Sequence, residues 1–123
     1  FAPSGDLNQR AQLPPGVEVF QISGPLFFAV ANRLDDVLNQ FSNAPRAFIL
    51  RLRLVPLINT SGVTALRQLL ERCQRQGTRV ILSGLREQPR SILEQLRLRP
   101  DGHDLQFAEN FAEAVKLAAI VSP

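Results

Sequence analysis

Val55-Pro56-Leu57-Ile58-Asn59-Thr60-Ser61-Gly62 is the stretch on which the fold turns, because the periodicity of the chain changes across it. Before it runs Arg46-Ala47-Phe48-Ile49-Leu50-Arg51-Leu52-Arg53-Leu54. The continuous apolar start of that run predicts a central parallel strand buried on both faces. Its end alternates, which puts Arg51 and Arg53 on one face and Leu50, Leu52 and Leu54 on the other. After it, Val63, Leu66, Leu69, Leu70 and Cys73 fall at helical spacing, with Arg67, Glu71 and Arg75 four apart on a wet face. Gly77 stands where a helix C-cap glycine belongs. A strand therefore runs through a loop, Val55 to Asn59, into a helix that opens on the hydroxyl residues Thr60 and Ser61. In open α/β sheets the crevice outside the carboxyl ends of the strands is where ligands bind. A helix start there offers free N–H groups and the positive end of the dipole to an anion or a phosphorylated hydroxyl. Asn59, Thr60 and Ser61 are equally the residue types that cap helices.

Outward from this stretch the alternation continues. Val17 to Ile22 reads as a strand, and Gly24-Pro25 as a turn. Leu26-Phe27-Phe28 is expected as a short second strand, closing an antiparallel hairpin with the first. From Ala29 the spacing of Leu34, Val37, Leu38 and Phe41 predicts a helix, stopped by Ser42-Asn43-Ala44-Pro45. Thr78 to Ser83 is a further strand and Ser91 to Leu98 a further helix, stopped by Pro100-Asp101-Gly102. Leu105 to Phe107 reads as a short edge strand, and Phe111, Val115 and Leu117 to Ile120 as a last helix. Strands and helices in turn predict an α/β sandwich with some parallel strands.

At 123 residues and 13.7 kDa the chain has room for one domain. Hydrophobic residues at 45% and charged residues at 20% exclude a disordered chain. The longest apolar runs fall far short of the ~20 residues of a membrane span. The net charge of +3 rests on thirteen Arg and one Lys. These cations are not interleaved with stacking aromatics, and the eight Phe sit mostly in core-like runs, so nucleic acid is not the expected partner. A lone cysteine, Cys73, excludes an internal disulfide framework and fits a reducing compartment. It is expected as a small core hydrophobe, and His103 as a solvated loop residue. One His and one Cys on different elements make no metal site, and no Gly-x-x-x-x-Gly-Lys loop is present to cradle phosphates. Neither an enzyme nor a cofactor is expected. Residues 1–15, closed by Leu13-Pro14-Pro15-Gly16, read as a linker or tag remnant, and the chain as a piece of a longer polypeptide whose domain covers 16–121.

Val55-Pro56-Leu57-Ile58-Asn59-Thr60-Ser61-Gly62-Val63-Thr64-Ala65-Leu66 resembles the signature loop and helix of STAS domains, found in sulfate transporters and anti-sigma-factor antagonists. The resemblance runs from about Gly16 to Ile120. Ile22-Ser23-Gly24-Pro25-Leu26-Phe27-Phe28-Ala29, Ile49-Leu50-Arg51-Leu52-Arg53 and Val55-Pro56 look like the branch at the C-terminus of SulP-type anion permeases. The resemblance implies a mixed β-sheet of four to five strands packed by about four helices, with no catalysis. It further implies a regulatory or assembly role in transmembrane anion transport, at the cytoplasmic face of the cell membrane as part of an integral membrane protein. The implied partner is the transmembrane domain of the same polypeptide, with a homodimer, a regulatory protein or a nucleotide as further candidates.

In the antagonist branch the loop carries an Asp, a phosphorylatable Ser, a small residue and Gly. The matching positions here are Asn59, Thr60, Ser61 and Gly62, so the aspartate is missing and the acceptor hydroxyl falls to Thr60. The alternative function is thus a free-standing anti-sigma-factor antagonist switched by phosphorylation in this loop. A third is a nucleotide- or lipid-carrier-binding module. Arg51 and Arg53 cost too much to bury without acidic partners. They are expected on an exposed sheet face or strand end, and in the functional reading they dock on acidic groups of the membrane domain or of another protein.

Overall fold

A computed structural model describes residues 2–3, 13–40 and 43–120. In chain order the elements are β1 (Ala2–Pro3), β2 (Val17–Ser23), α1 (Phe28–Asn39), β3 (Ala47–Leu54), α2 (Thr60–Arg75), β4 (Arg79–Ser83), α3 (Glu87–Gln95), β5 (Leu105–Ala108) and α4 (Phe111–Ala119). They form one sheet in the order β1-β2-β3-β4-β5. β2, β3, β4 and β5 are parallel neighbours, and β1 runs antiparallel to β2. The mixed sheet and the α/β alternation agree with the expected STAS-like architecture.

β3 lies at the centre, and its run of apolar residues is explained by burial from both sides. Phe48, Leu50 and Leu52 enter the larger core with Phe20, Ile22, Val80 and Leu82, under residues of α1, α2 and α3. Ala47 and Ile49 enter a smaller one with Val17, Val19 and Ile81, where Ala114 and Ala118 of α4 close it. Period-two side-chain alternation thus sorts one strand between two layers. Each large aliphatic residue so buried contributes about 1.5–3 kcal/mol relative to exposure.

α2 ends as its sequence predicts. Gly77 takes φ +78°, the Gly77 N–H donates to the Gln74 carbonyl at 3.2 Å and the Thr78 N–H to the Cys73 carbonyl at 2.8 Å. That pair of bonds is the Schellman closure, which satisfies the last carbonyls of the helix. α3 closes in the same way with Arg97 at φ 61°, a left-handed position that costs a side-chain-bearing residue roughly 1–2 kcal/mol.

Two expectations are corrected. Leu26 to Phe28 is not the return strand of a hairpin. Both edges of β2 are occupied, by β1 and by β3, so no edge remains for a return strand. The chain instead continues beside the extension of β3: the Gly24 N–H donates to the Leu54 carbonyl, the Leu26 N–H to the Leu57 carbonyl, and Leu26 forms a single parallel bridge with Ile58. The third helix begins at Glu87, not Ser91. Pro89 lies in its first turn, where the missing N–H has no intrahelical partner to lose. Phe41, assigned to the stripe of the first helix, lies outside the described residues.

Candidate functional site

The crossing from β3 to α2 is built from alternately buried and exposed residues. Val55 and Ile58 are fully buried, whereas Leu57 is 40% exposed, Leu54 39% and Phe27 41%. Ile58 is held on two sides. Its bridge to Leu26 is one. On the other, its N–H donates to Gln88 Oε1 at 2.9 Å and its carbonyl accepts from Gln88 Nε2 at 3.0 Å.

Asn59 is the helix cap, with extended backbone and its Oδ1 accepting the Gly62 N–H at 2.7 Å. The Val63 N–H donates to the Asn59 carbonyl at 3.0 Å. Thr60 and Ser61 stand exposed on the first turn of α2, and the Thr60 carbonyl accepts from Thr64 Oγ1 at 3.1 Å. Gly62 is buried because the Leu26 carbonyl oxygen occupies the space where a Cβ would project. The capping role predicted for this loop is thus met by Asn59, and the two hydroxyls next to it are presented to solvent at the positive end of α2.

Arg51 and Arg53 lie at the same end of the sheet but on its opposite face. The Arg51 guanidinium sits 4.5 Å from the centre of the Phe111 ring, at the start of α4, a cation–π contact. Arg51 is half-buried and Arg53 exposed, so the expectation of an exposed strand end holds for Arg53 and in part for Arg51. Burial, and the charge of Arg53 beside it, lower the pKa of Arg51 from its ordinary value. A depression of about 360 Å³ lies between Arg51, Arg53, Gly84, Glu109 and Asn110. Asn110 caps α4 by accepting the Glu113 N–H at 2.9 Å. The loop and the arginine pair are therefore two separate surfaces.

Three further features escaped the sequence reading. Gln88 is one, since nothing in its local spacing ties it to Ile58. Arg79 and Arg46 are the others: Arg79 Nη2 donates to the carbonyls of Ala118 at 3.1 Å and Ile120 at 2.6 Å, and Arg46 Nη1 to that of Ala118 at 2.8 Å. Two cations thereby hold the C-terminal end of α4, where the dipole is negative. Among the described residues no group of His, Cys, Asp and Glu is placed to hold a metal, and no helix is long and apolar enough to cross a membrane. Cys73 is buried. His103 is exposed, with its ring nitrogen Nδ1 2.9 Å from Asp104.

The family model of the STAS domain matches residues 8–114. The chain belongs to the STAS domain family. Among solved structures this STAS domain is similar to a sulfate transporter family protein from Wolinella succinogenes, at 33% identity and a TM-score of 0.78, covering 92% of this chain and 93% of that one. It is also similar to the STAS domain of a SulP transporter from Vibrio cholerae, at 26% identity and a TM-score of 0.70, covering 92% and 88%. The Bacillus subtilis (strain 168) protein named "Putative sulfate transporter YvdB" is 29% identical over 85 residues, which are 68% of this chain and 16% of that protein. The STAS domain thus spans about 16% of the length of the curated relative that it matches.

Proposed function

We propose that this STAS domain is the cytoplasmic C-terminal domain of a bacterial SulP-type sulfate or related anion permease, where it serves the regulation or assembly of transmembrane anion transport. The observation that carries this reading is the likeness, over nearly the whole of both chains, to a sulfate transporter family protein at 33% identity. The partner is the transmembrane domain of the same polypeptide, and the transport pathway lies in that domain. Arg51 and Arg53 are the docking residues. One is steadied on Phe111 and the other is free to reach outward, so the pair suits an acidic surface better than a buried core. In the second reading Thr60 accepts a phosphate, which adds nearly two negative charges at the start of α2. It is favoured by the exposure of Thr60 and Ser61, and disfavoured by Asn59, which supplies an uncharged cap where the antagonist loop carries an aspartate.

Two measurements test these readings. Fractionation of the source cells, probed with an antibody to this domain, is expected to place it in the membrane pellet on a chain several times larger than 13.7 kDa. Recovery in the soluble fraction at about the 13.7 kDa of this chain would overturn the permease reading and turn attention to phosphate on Thr60. In the full-length permease, Arg51→Glu combined with Arg53→Glu is expected to lower anion uptake several-fold with the protein still inserted. Unchanged uptake and assembly would remove the docking role.

A further inference from the structure

Ile58 occupies the position of a one-residue strand. Its side chain is fully buried, Leu26 pairs with its backbone on one side, and on the other side no strand arrives among the described residues. β4 ends at Ser83, and the chain turns at Gly84, with φ +72°, toward α3. The carboxamide of Gln88, in the first turns of that helix, fills the vacancy. It accepts from the Ile58 N–H at 2.9 Å and donates to the Ile58 carbonyl at 3.0 Å, the same donor and acceptor pair that two peptide groups of a neighbouring strand would offer. One residue further along the chain is the Asn59 cap. The position of Ile58 therefore fixes where α2 begins and where Thr60 and Ser61 stand.

We propose that Gln88 is a latch that sets the presentation of the Thr60–Ser61 surface and ties it to α3. Closed, it completes the pairing of Ile58. Open, it leaves a buried N–H and carbonyl without partners, which drives the crossing to move and carries the start of α2 with it. The latch is also reachable. Gln88 lines an open depression of about 390 Å³ with Pro56, Arg86, Glu87 and Ser91, so a partner that grips the first turn of α3 from this side draws on the latch directly. This deepens the reading of the loop as a functional surface, and rests on it only for what the two hydroxyls, once shifted, then meet.

Amide hydrogen exchange on this 123-residue chain tests the latch. In Gln88→Ala the Ile58 amide is expected to exchange roughly tenfold faster or more, with Ile81 of β4 and Leu66 of α2 unchanged. Gln88→Glu supplies a signature that a bulk packing role would not. Its ionised carboxylate accepts from the Ile58 N–H but sets a second oxygen against the Ile58 carbonyl. Once protonated it restores both bonds, and because the ionised form faces that carbonyl the proton is taken up above the ordinary glutamate value of about 4.3. The charged groups lining the depression around it are Arg86 and Glu87, and the crossing itself, 55–59, carries none. Protection of Ile58, corrected for intrinsic exchange, is therefore expected to return in Gln88→Glu as pH falls, with no such change in the native chain. Full protection of Ile58 in Gln88→Ala, or equal loss at Ile58 and Ile81 with no recovery in Gln88→Glu, would overturn the proposal. Neither result touches the permease reading, which is decided by fractionation and uptake in the full-length protein.

Discussion

The Cys73 thiol shows what burial does to a single group. Desolvation raises its pKa to about 11 from an ordinary 9.0, with Arg72 pulling down and Asp35 pushing up by smaller amounts. In the unfolded chain the thiol loses its proton first as pH rises. The unfolded state then binds fewer protons than the folded one, and stability falls with pH. The contribution is whole at neutral pH and is lost between about 9 and about 11. The full shift corresponds to about 2–3 kcal/mol. Urea unfolding at pH 8 and at pH 10.5 is expected to show part of this decline in the native chain and to lack it in Cys73→Ala. Equal declines in the two would mean that the thiol is not shielded. The same burial makes the thiol a poor nucleophile at neutral pH, since the thiolate is the reactive form.

The entrance of α2 depends on a glycine for a reason of contact. Helix propensity alone favours alanine over glycine by about 1 kcal/mol. At Gly62 the added methyl group would run into the backbone of Leu26, and either α2 or the Leu26 bridge must shift. Gly62→Ala is expected to lose roughly 1–3 kcal/mol in urea unfolding, the range of a strained core insertion. Ser61→Ala, one position away and exposed, serves as the control and should stay within about 0.5 kcal/mol. A stabilised Gly62→Ala would show that the helix does not press on Leu26. The contrast between Asn59 and Gln88 shows which parts of this site can be read from a sequence. Asn59 bonds three residues ahead, so a local pattern of capping residue and helical stripe reveals it. Gln88 bonds across the end of the sheet, and its partner is fixed only once α3 is packed. Leu26 to Phe28 misled for a related reason. A turn pair between apolar runs is the local signature of a hairpin, but which edge of β2 is free depends on strands that pair from elsewhere in the chain.

Over the whole molecule the two faces of the sheet are unequal. The α1–α3 face buries Phe48, Ile22, Leu26, Leu34, Leu50, Leu52 and Leu66, whereas the α4 face relies on Ala47, Ala108, Ala114 and Ala118 among its members. Small residues bring α4 close to the sheet but bury little apolar area each. The arginine clamp at its C-terminal end makes up part of the difference. Arg79 is almost fully buried, and desolvation and the nearby Arg46 charge both lower its pKa from the ordinary value. Arg79→Met keeps the bulk and removes the bonds to Ala118 and Ile120, leaving their carbonyls to other partners. It is expected to cost about 2–3 kcal/mol and to speed exchange of α4 amides ahead of those in β3. Uniform acceleration throughout the sheet would show instead that α4 does not open as a separate layer. The alternating strands and helices made the layers legible in advance. The clamp was hidden, since Arg46 and Arg79 read as ordinary charges at the starts of two strands.

β2 through β5 sit side by side in the order in which they occur along the chain. During synthesis, therefore, each new strand finds its neighbour already made and waiting, and none has to be threaded between two earlier ones. α4 is the exception to this stepwise growth. Until the ribosome has delivered residues 111–119, Val17, Val19, Ala47, Ile49 and Ile81 lack the helix that covers them. The nascent domain thus passes through a stage with one face finished and the other still sticky. A chaperone has its opportunity at that stage, and the arrival of a single short helix ends it.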